Sequence, residues 1–186
     1  RDREKRDVAN GHYRSAIEAA TQAKNLLSEQ SKGFREELRD DIEWRSLNAE
    51  GVAELRISYF HDPADLNRHL DQALVKFRGA LKKSPGNFNI LENMAVVLNN
   101  LDYAKKDLYE AMKLLERAIG IKPNDYYGHY QLVKTFFFLQ EKATGSDKQL
   151  LDEKMAASLA ELRRISPAYA KRWEQEQQIL KGKLKK

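Results

Sequence analysis

By type, the residues most capable of chemistry in this chain are four histidines and several clustered carboxylates. His61 and His69 lie on either side of Asp62, Pro63, Ala64 and Asp65, while His12 and His129 stand alone. A metal centre needs three or four donors converging on one point. The stretch from 61 to 69 offers two imidazoles eight residues apart around a turn and no compelling third ligand, so capping and surface roles account for them. The neighbouring pairs Glu36-Glu37 and Asp40-Asp41 are acid/base groups by type. Their place at the start of a helical stretch makes them a solvated face that complements the helix N-terminus. No glycine-rich phosphate loop is present, and the absence of cysteine removes disulfides, thiolate nucleophiles and cysteine-based zinc sites. The sequence therefore predicts no catalytic residue, no metal and no cofactor. The expected protein is not an enzyme.

The elements that would carry such residues are those of one folded chain. Its 186 residues, 41% hydrophobic and 33% charged, suit one core with a well-solvated surface. No apolar run nears the roughly 20 residues that span a bilayer, so the chain is expected not to be membrane-embedded. It begins with Arg1 rather than Met, which reads as a trimmed or processed product. Nothing chooses between the cytoplasm and an extracytoplasmic compartment. The net charge of +5 suggests nucleic acid until it is located. Residues 171–186 hold six Lys or Arg against Glu174 and Glu176, leaving the body nearly balanced. Nucleic-acid recognition would call for a basic stripe interleaved with aromatics on a folded face, and it is not expected here.

Along the chain one spacing recurs. Ala73, Phe77, Ala80 and Pro85 are matched by Ala111, Leu115, Ala118 and Pro123. On a helix the first three share a face, where small alanines admit a neighbouring helix, and the proline ends the helix. Ala16, Ala20 and Ala23 form a degenerate copy, with Ser28 in place of the proline. Met155, Leu159, Leu162 and Pro167 form a drifted one. The apolar periodicity predicts helices over about 13–30, 34–59, 66–83, 89–101, 106–121 and 168–184, with others between, and Gly51 inside the second. Ser166-Pro167 reads as an N-cap and first-turn proline opening a last helix.

These residues resemble the tetratricopeptide repeat family, whose unit is an antiparallel helix pair of 34 residues. The likeness rests on the two strict copies above and on Leu91/Met94/Ala95/Leu98 and His129/Leu132/Val133/Phe136 in the preceding helices. It extends to Gly11-His12-Tyr13, which looks like the turn before a second helix. It implies an all-α fold of helix pairs stacked as a short right-handed α-solenoid with a C-terminal capping helix. The expected organisation is a single domain, 1–186, with a partial repeat at 12–30, pairs at 34–87, 88–125 and 126–167, and a cap with basic tail at 168–184. Pro85 to Pro123 and Pro123 to Pro167 exceed the family length. The extra residues are expected in loops near 102–107 and 141–149.

The family's usual role implies a non-enzymatic scaffold or adaptor that holds a protein or peptide in a concave groove. Carried over, the groove positions are Arg45, Asn48 and Val52; Asn89, Glu92, Asn93 and Val96; and Tyr127, Tyr130, Gln131 and Lys134. A branch of the family grips a C-terminal carboxylate with Lys and Arg at such sites, and only Asn93 matches that clamp here. A second signal is aromatic: Tyr126, Tyr127, Tyr130, Phe136, Phe137 and Phe138 fall within thirteen residues. They point over more than half a helix circumference. Either the following loop and the last helix cover them, or Tyr126, Phe137 and Phe138 form an apolar anchor for a partner. A further alternative is self-association through an open edge at a first unit lacking its own first helix before Tyr13, with the basic tail contacting an anionic surface.

Overall fold

The computed structural model describes residues 2–30, 36–60, 62–100 and 107–184. Among them stand eight α-helices and no strand: α1 Asp2–Gln30, α2 Glu36–Ser58, α3 Pro63–Lys83, α4 Phe88–Leu98, α5 Leu108–Ile121, α6 Tyr126–Gln140, α7 Gly145–Ile165 and α8 Pro167–Leu184. No helix among the described residues is long and apolar enough to cross a membrane. The chain divides into two compact units, Arg1–Lys106 and Asp107–Lys186. That boundary falls between α4 and α5, within the 88–125 pair of the sequence reading.

Three helices stop in the same way. A proline ring pushes the residue before it out of the helical region, and Ser84, Lys122 and Ser166 take φ of −132°, −133° and −149° ahead of Pro85, Pro123 and Pro167. Each still donates its N–H to a helix carbonyl, that of Ala80, Ala118 and Leu162 respectively. After the first two stops the chain makes the same turn. The N–H of Asn87 donates to the Ser84 carbonyl at 3.2 Å, and that of Asp125 to the Lys122 carbonyl at 3.1 Å. The side chains of Asn87 and Asp125 then cap α4 and α6 by accepting from the N–H groups of Ile90 and Gly128. After the third stop Pro167 is itself the first residue of α8.

In the first unit α2 packs against α1, α3 and α4. Ala73, Phe77 and Ala80 are fully buried, and Gly51 is what admits the Phe77 ring: a Cβ there would lie 2.6 Å from it. Burying such a ring contributes about 1.5–3 kcal/mol. On α2, Ser46, Glu50, Glu54 and Ser58 recur every four residues and are at least half-buried, so the helix has no simple apolar stripe. Each has a partner. Ser46 Oγ donates to the Ala20 carbonyl at 2.7 Å, Glu50 pairs with Lys76, and Ser58 Oγ donates to the Leu55 carbonyl at 2.7 Å. Glu54 Oε2 lies 2.6 Å from His69 Nδ1. Arg68 can only donate, so its contact of 3.1 Å makes His69 Nε2 the acceptor and Nδ1 the donor to Glu54.

Helix α1 runs unbroken through Gly11, and the turn expected at Gly11-His12-Tyr13 is a correction. One glycine costs a helix about 1 kcal/mol, which tertiary contact overrides: the Tyr13 ring stacks on Phe60 at 6.3 Å. Residues 31–35, His61 and most of the expected 102–107 loop lie outside the described residues, as does the side chain of His12. Asp107 is seen as the N-cap of α5, accepting from the Glu110 N–H at 2.9 Å.

In the second unit α6 packs against α5, α7 and α8. Ala111, Leu115 and Ala118 of α5 are buried, as are Leu132, Val133, Phe136, Phe137, Phe138 and Leu139 of α6. A helix apolar around most of its circumference belongs inside a structure, and here three helices enclose it. The long loop expected at 141–149 is another correction. The connection is short because α7 already begins at Gly145, so the added residues lengthen that helix to 21 residues. Gly145 has φ of +58°, a conformation natural to glycine.

The Gly51–Phe77 contact gives a direct test. Gly51→Ala should destabilise the chain by about 1–3 kcal/mol through overpacking, read from denaturant unfolding. Gly120→Ala, where an added Cβ meets nothing within 4 Å, should be neutral or stabilising by up to about 1 kcal/mol. Equal effects would exclude the close approach.

Candidate binding surfaces

No group of three His, Asp or Glu among the described residues is placed to hold a metal ion. His69 is engaged by Glu54 and Arg68, and His129 Nε2 donates to the Pro123 carbonyl at 2.9 Å. The surfaces that remain belong one to each unit.

In the first unit, Asn93 on α4 donates through Nδ2 to Asn48 Oδ1 on α2 at 3.3 Å. Helical spacing sets Arg45 on the Asn48 face of α2, and Asn89 and Val96 on the Asn93 face of α4. Asn48, Asn93, Val96 and Val52 are half-buried, while Arg45 and Asn89 are exposed. Arg45 folds back on its own helix, with Nε 2.8 Å from Asp41 Oδ2 and the guanidinium 4.8 Å above the Trp44 ring. The hydrogen bond from Arg45 holds the Asp41 carboxyl below its ordinary range. Glu92, expected in the groove, is buried instead. On α4 it is one position away from Asn93, about 100° around the helix.

In the second unit four of the expected residues, Tyr126, Tyr130, Lys134 and Phe137, are drawn into contact with α8. Tyr130 is only 4% exposed; its hydroxyl donates to Glu176, and its ring meets Tyr169 edge-on at 5.6 Å and Trp173 at 6.5 Å. Lys134 Nζ lies 2.7 Å from the other Glu176 oxygen. Gln131 is buried, and its carbonyl accepts from Thr135 Oγ1 at 2.8 Å. Phe137 packs on Trp173 at 5.6 Å and on Phe138 at 5.6 Å. Phe137 and Phe138 are therefore core, and the apolar anchor expected at them is corrected: both are buried, Phe137 beneath Trp173 of α8. Tyr126 alone of the expected aromatic patch reaches the surface, 41% exposed and 4.4 Å from Tyr169. Tyr127 is half-buried and stacks parallel to Tyr130 at 6.3 Å.

Arg172 and Glu176 are absent from the sequence reading of this face. The signal was present, since Tyr169, Arg172, Trp173 and Glu176 fall at i, i+3, i+4 and i+7 on one side of a helix. Burial, and then the hydrogen bond to Glu176, push the Tyr130 hydroxyl well above the usual tyrosine range. Burial also pushes the Glu176 carboxyl up, but hydrogen bonds from Lys134 and Tyr130 outweigh it and leave the group below the ordinary carboxylate value.

The signs of these shifts set a pH window. The lowered Glu176 contributes stability that is present above about pH 4.5 and lost on acidification through its folded value. The raised Tyr130 contributes stability that is present below about pH 10 and lost as pH rises further. Glu176→Gln, which leaves Lys134 without its carboxylate, should cost about 1–3 kcal/mol at pH 7. The gap to wild type should narrow below pH 4.5, and the gap for Tyr130→Phe should narrow above pH 10. Chemical denaturation across pH measures both, and pH-independent gaps would refute the assignment.

Compared with protein-family models and with curated proteins, the chain matches none.

Proposed function

We propose that this chain is a non-enzymatic scaffold of tetratricopeptide type that holds a protein segment on the α2–α4 face of its first unit. The observation that carries the reading is the Asn48–Asn93 pair, joined across two helices. Around it lie side chains at helical spacing and mixed in chemistry: the exposed Arg45 and Asn89 and the half-buried Val96. Amides that bond one another and still present donors and acceptors suit the main chain of an extended partner. The burial of Ala73, Phe77 and Ala80 and of Ala111, Leu115 and Ala118 supports packed helix pairs, and a right-handed α-solenoid is the arrangement this family resemblance implies. Tyr126, Tyr127 and Lys134 belong to a second contact surface in the other unit.

The test is capture of a cross-linked partner by the full chain. Asn89→Arg with Asn93→Ala should abolish capture while costing no more than about 1.5 kcal/mol of stability, the loss of one hydrogen bond. Undiminished capture by the double variant would sink the proposal.

A second reading, self-association, is favoured by one observation on α1. Ala16 and Ala23 are exposed and Leu26 is 56% exposed, whereas the equivalent alanines of α3 and α5 are buried. Sedimentation of the wild-type chain should then show a concentration-dependent dimer that Ala16→Glu with Ala23→Glu abolishes. A strict monomer at high concentration excludes it.

A further inference from the structure

On the second unit, Tyr130 and Tyr169 stand nearly perpendicular, at 82°, with ring centroids 5.6 Å apart. Two ring faces at that angle make a corner. The guanidinium of Arg172 lies in it, 5.6 Å from one centroid and 5.7 Å from the other. Tyr126 extends the Tyr169 wall, and the Glu176 carboxylate adds negative field nearby. Arg172 is exposed and has no hydrogen bond or ion pair among the described residues. It is a cation held by ring faces and a distant charge alone.

We propose that this corner is a binding site for the guanidinium of an arginine in a partner segment, and that Arg172 is its resident, displaceable occupant. Ring faces attract a cation through their quadrupole and reward one that sheds water readily. The planar guanidinium is more weakly hydrated than a lysine ammonium, so arginine is favoured over lysine. The two Glu176 oxygens already accept from Tyr130 and Lys134, so the open ring faces carry the selection. The proposal deepens the scaffold reading by naming the partner chemistry at its second surface. It concerns this corner alone, so partner capture through the α2–α4 face can survive its failure.

The experiment titrates full-length wild type, Arg172→Ala and Arg172→Met with acetyl-arginine amide and acetyl-lysine amide, following tyrosine ring signals by NMR at matched ionic strength. Arg172→Met keeps the apolar stem should Arg172→Ala disturb packing. The expected result is saturable shifts with the arginine compound in both variants and binding at least about tenfold weaker in wild type, where the tethered arginine competes at high effective concentration. Shifts should be lost when Tyr169→Leu is added. Three results would overturn it: no saturable shift in variants that keep the wild-type circular dichroism, equal response to the lysine compound, or binding indifferent to Tyr169→Leu.

Discussion

The constraint on which the rest depends is the steric clash that disfavours the helical conformation in the residue before a proline. Ser84, Lys122 and Ser166 obey it with nearly the same backbone and the same bond back to the helix. The carbonyl accepting that bond belongs each time to the last residue of the repeated spacing, Ala80, Ala118 or Leu162. The stop therefore fixes where the close-packing face ends relative to the turn, and the turn fixes where the next helix begins. Because Asn87 and Asp125 then cap in the same register, the start of α4 and of α6 is set by local chemistry alone. No long-range contact is needed to specify it.

Within that frame the two units bury their central helices differently. Helix α2 carries a polar seam, and its acidic and hydroxyl groups are tolerated because each meets a partner on α1, on α3 or within α2. A half-paired seam would cost more than an apolar one. Helix α6 takes the other course: it is apolar over most of its surface and enclosed on three sides. Two of its polar side chains, Tyr130 and Lys134, share one carboxylate at the edge it shares with α8, while Gln140 reaches Asp152 of α7.

These differences explain what the sequence disclosed. The helices, their proline stops and the alanine faces were legible because they follow from spacing and backbone sterics. The unbroken run through Gly11 was not, because a weak local penalty was set against contacts formed by residues as distant as Phe60. The extent of α7 was hidden by Thr144-Gly145, a pair that reads as loop although it starts a helix. For the candidate surfaces, the family resemblance named Asn48 and Asn93 on separate helices, and the structure joins them by a hydrogen bond. The fate of Tyr130, Phe137 and Phe138 depended on which helix returned to cover them, and the one signal for Glu176 was its place on the same side of α8 as Trp173 and Tyr169.

The contact made by α8 shows why an aromatic-rich helix need not be a sticky one. Trp173 supplies apolar surface to α6, and Glu176 answers the Tyr130 hydroxyl and the Lys134 ammonium at its rim. The far side of α8 exposes Lys171, Glu174, Gln175, Gln178 and Lys181, with Ile179 the apolar exception. A helix apolar and acid-matched on one side and charged on the other does two things at once. It satisfies the face beneath it, and it presents a surface on which a further apolar helix would not stack. What it leaves open is the seam where the two helices meet at Tyr126 and Tyr169, and there the Arg172 guanidinium is held by no hydrogen bond among the described residues.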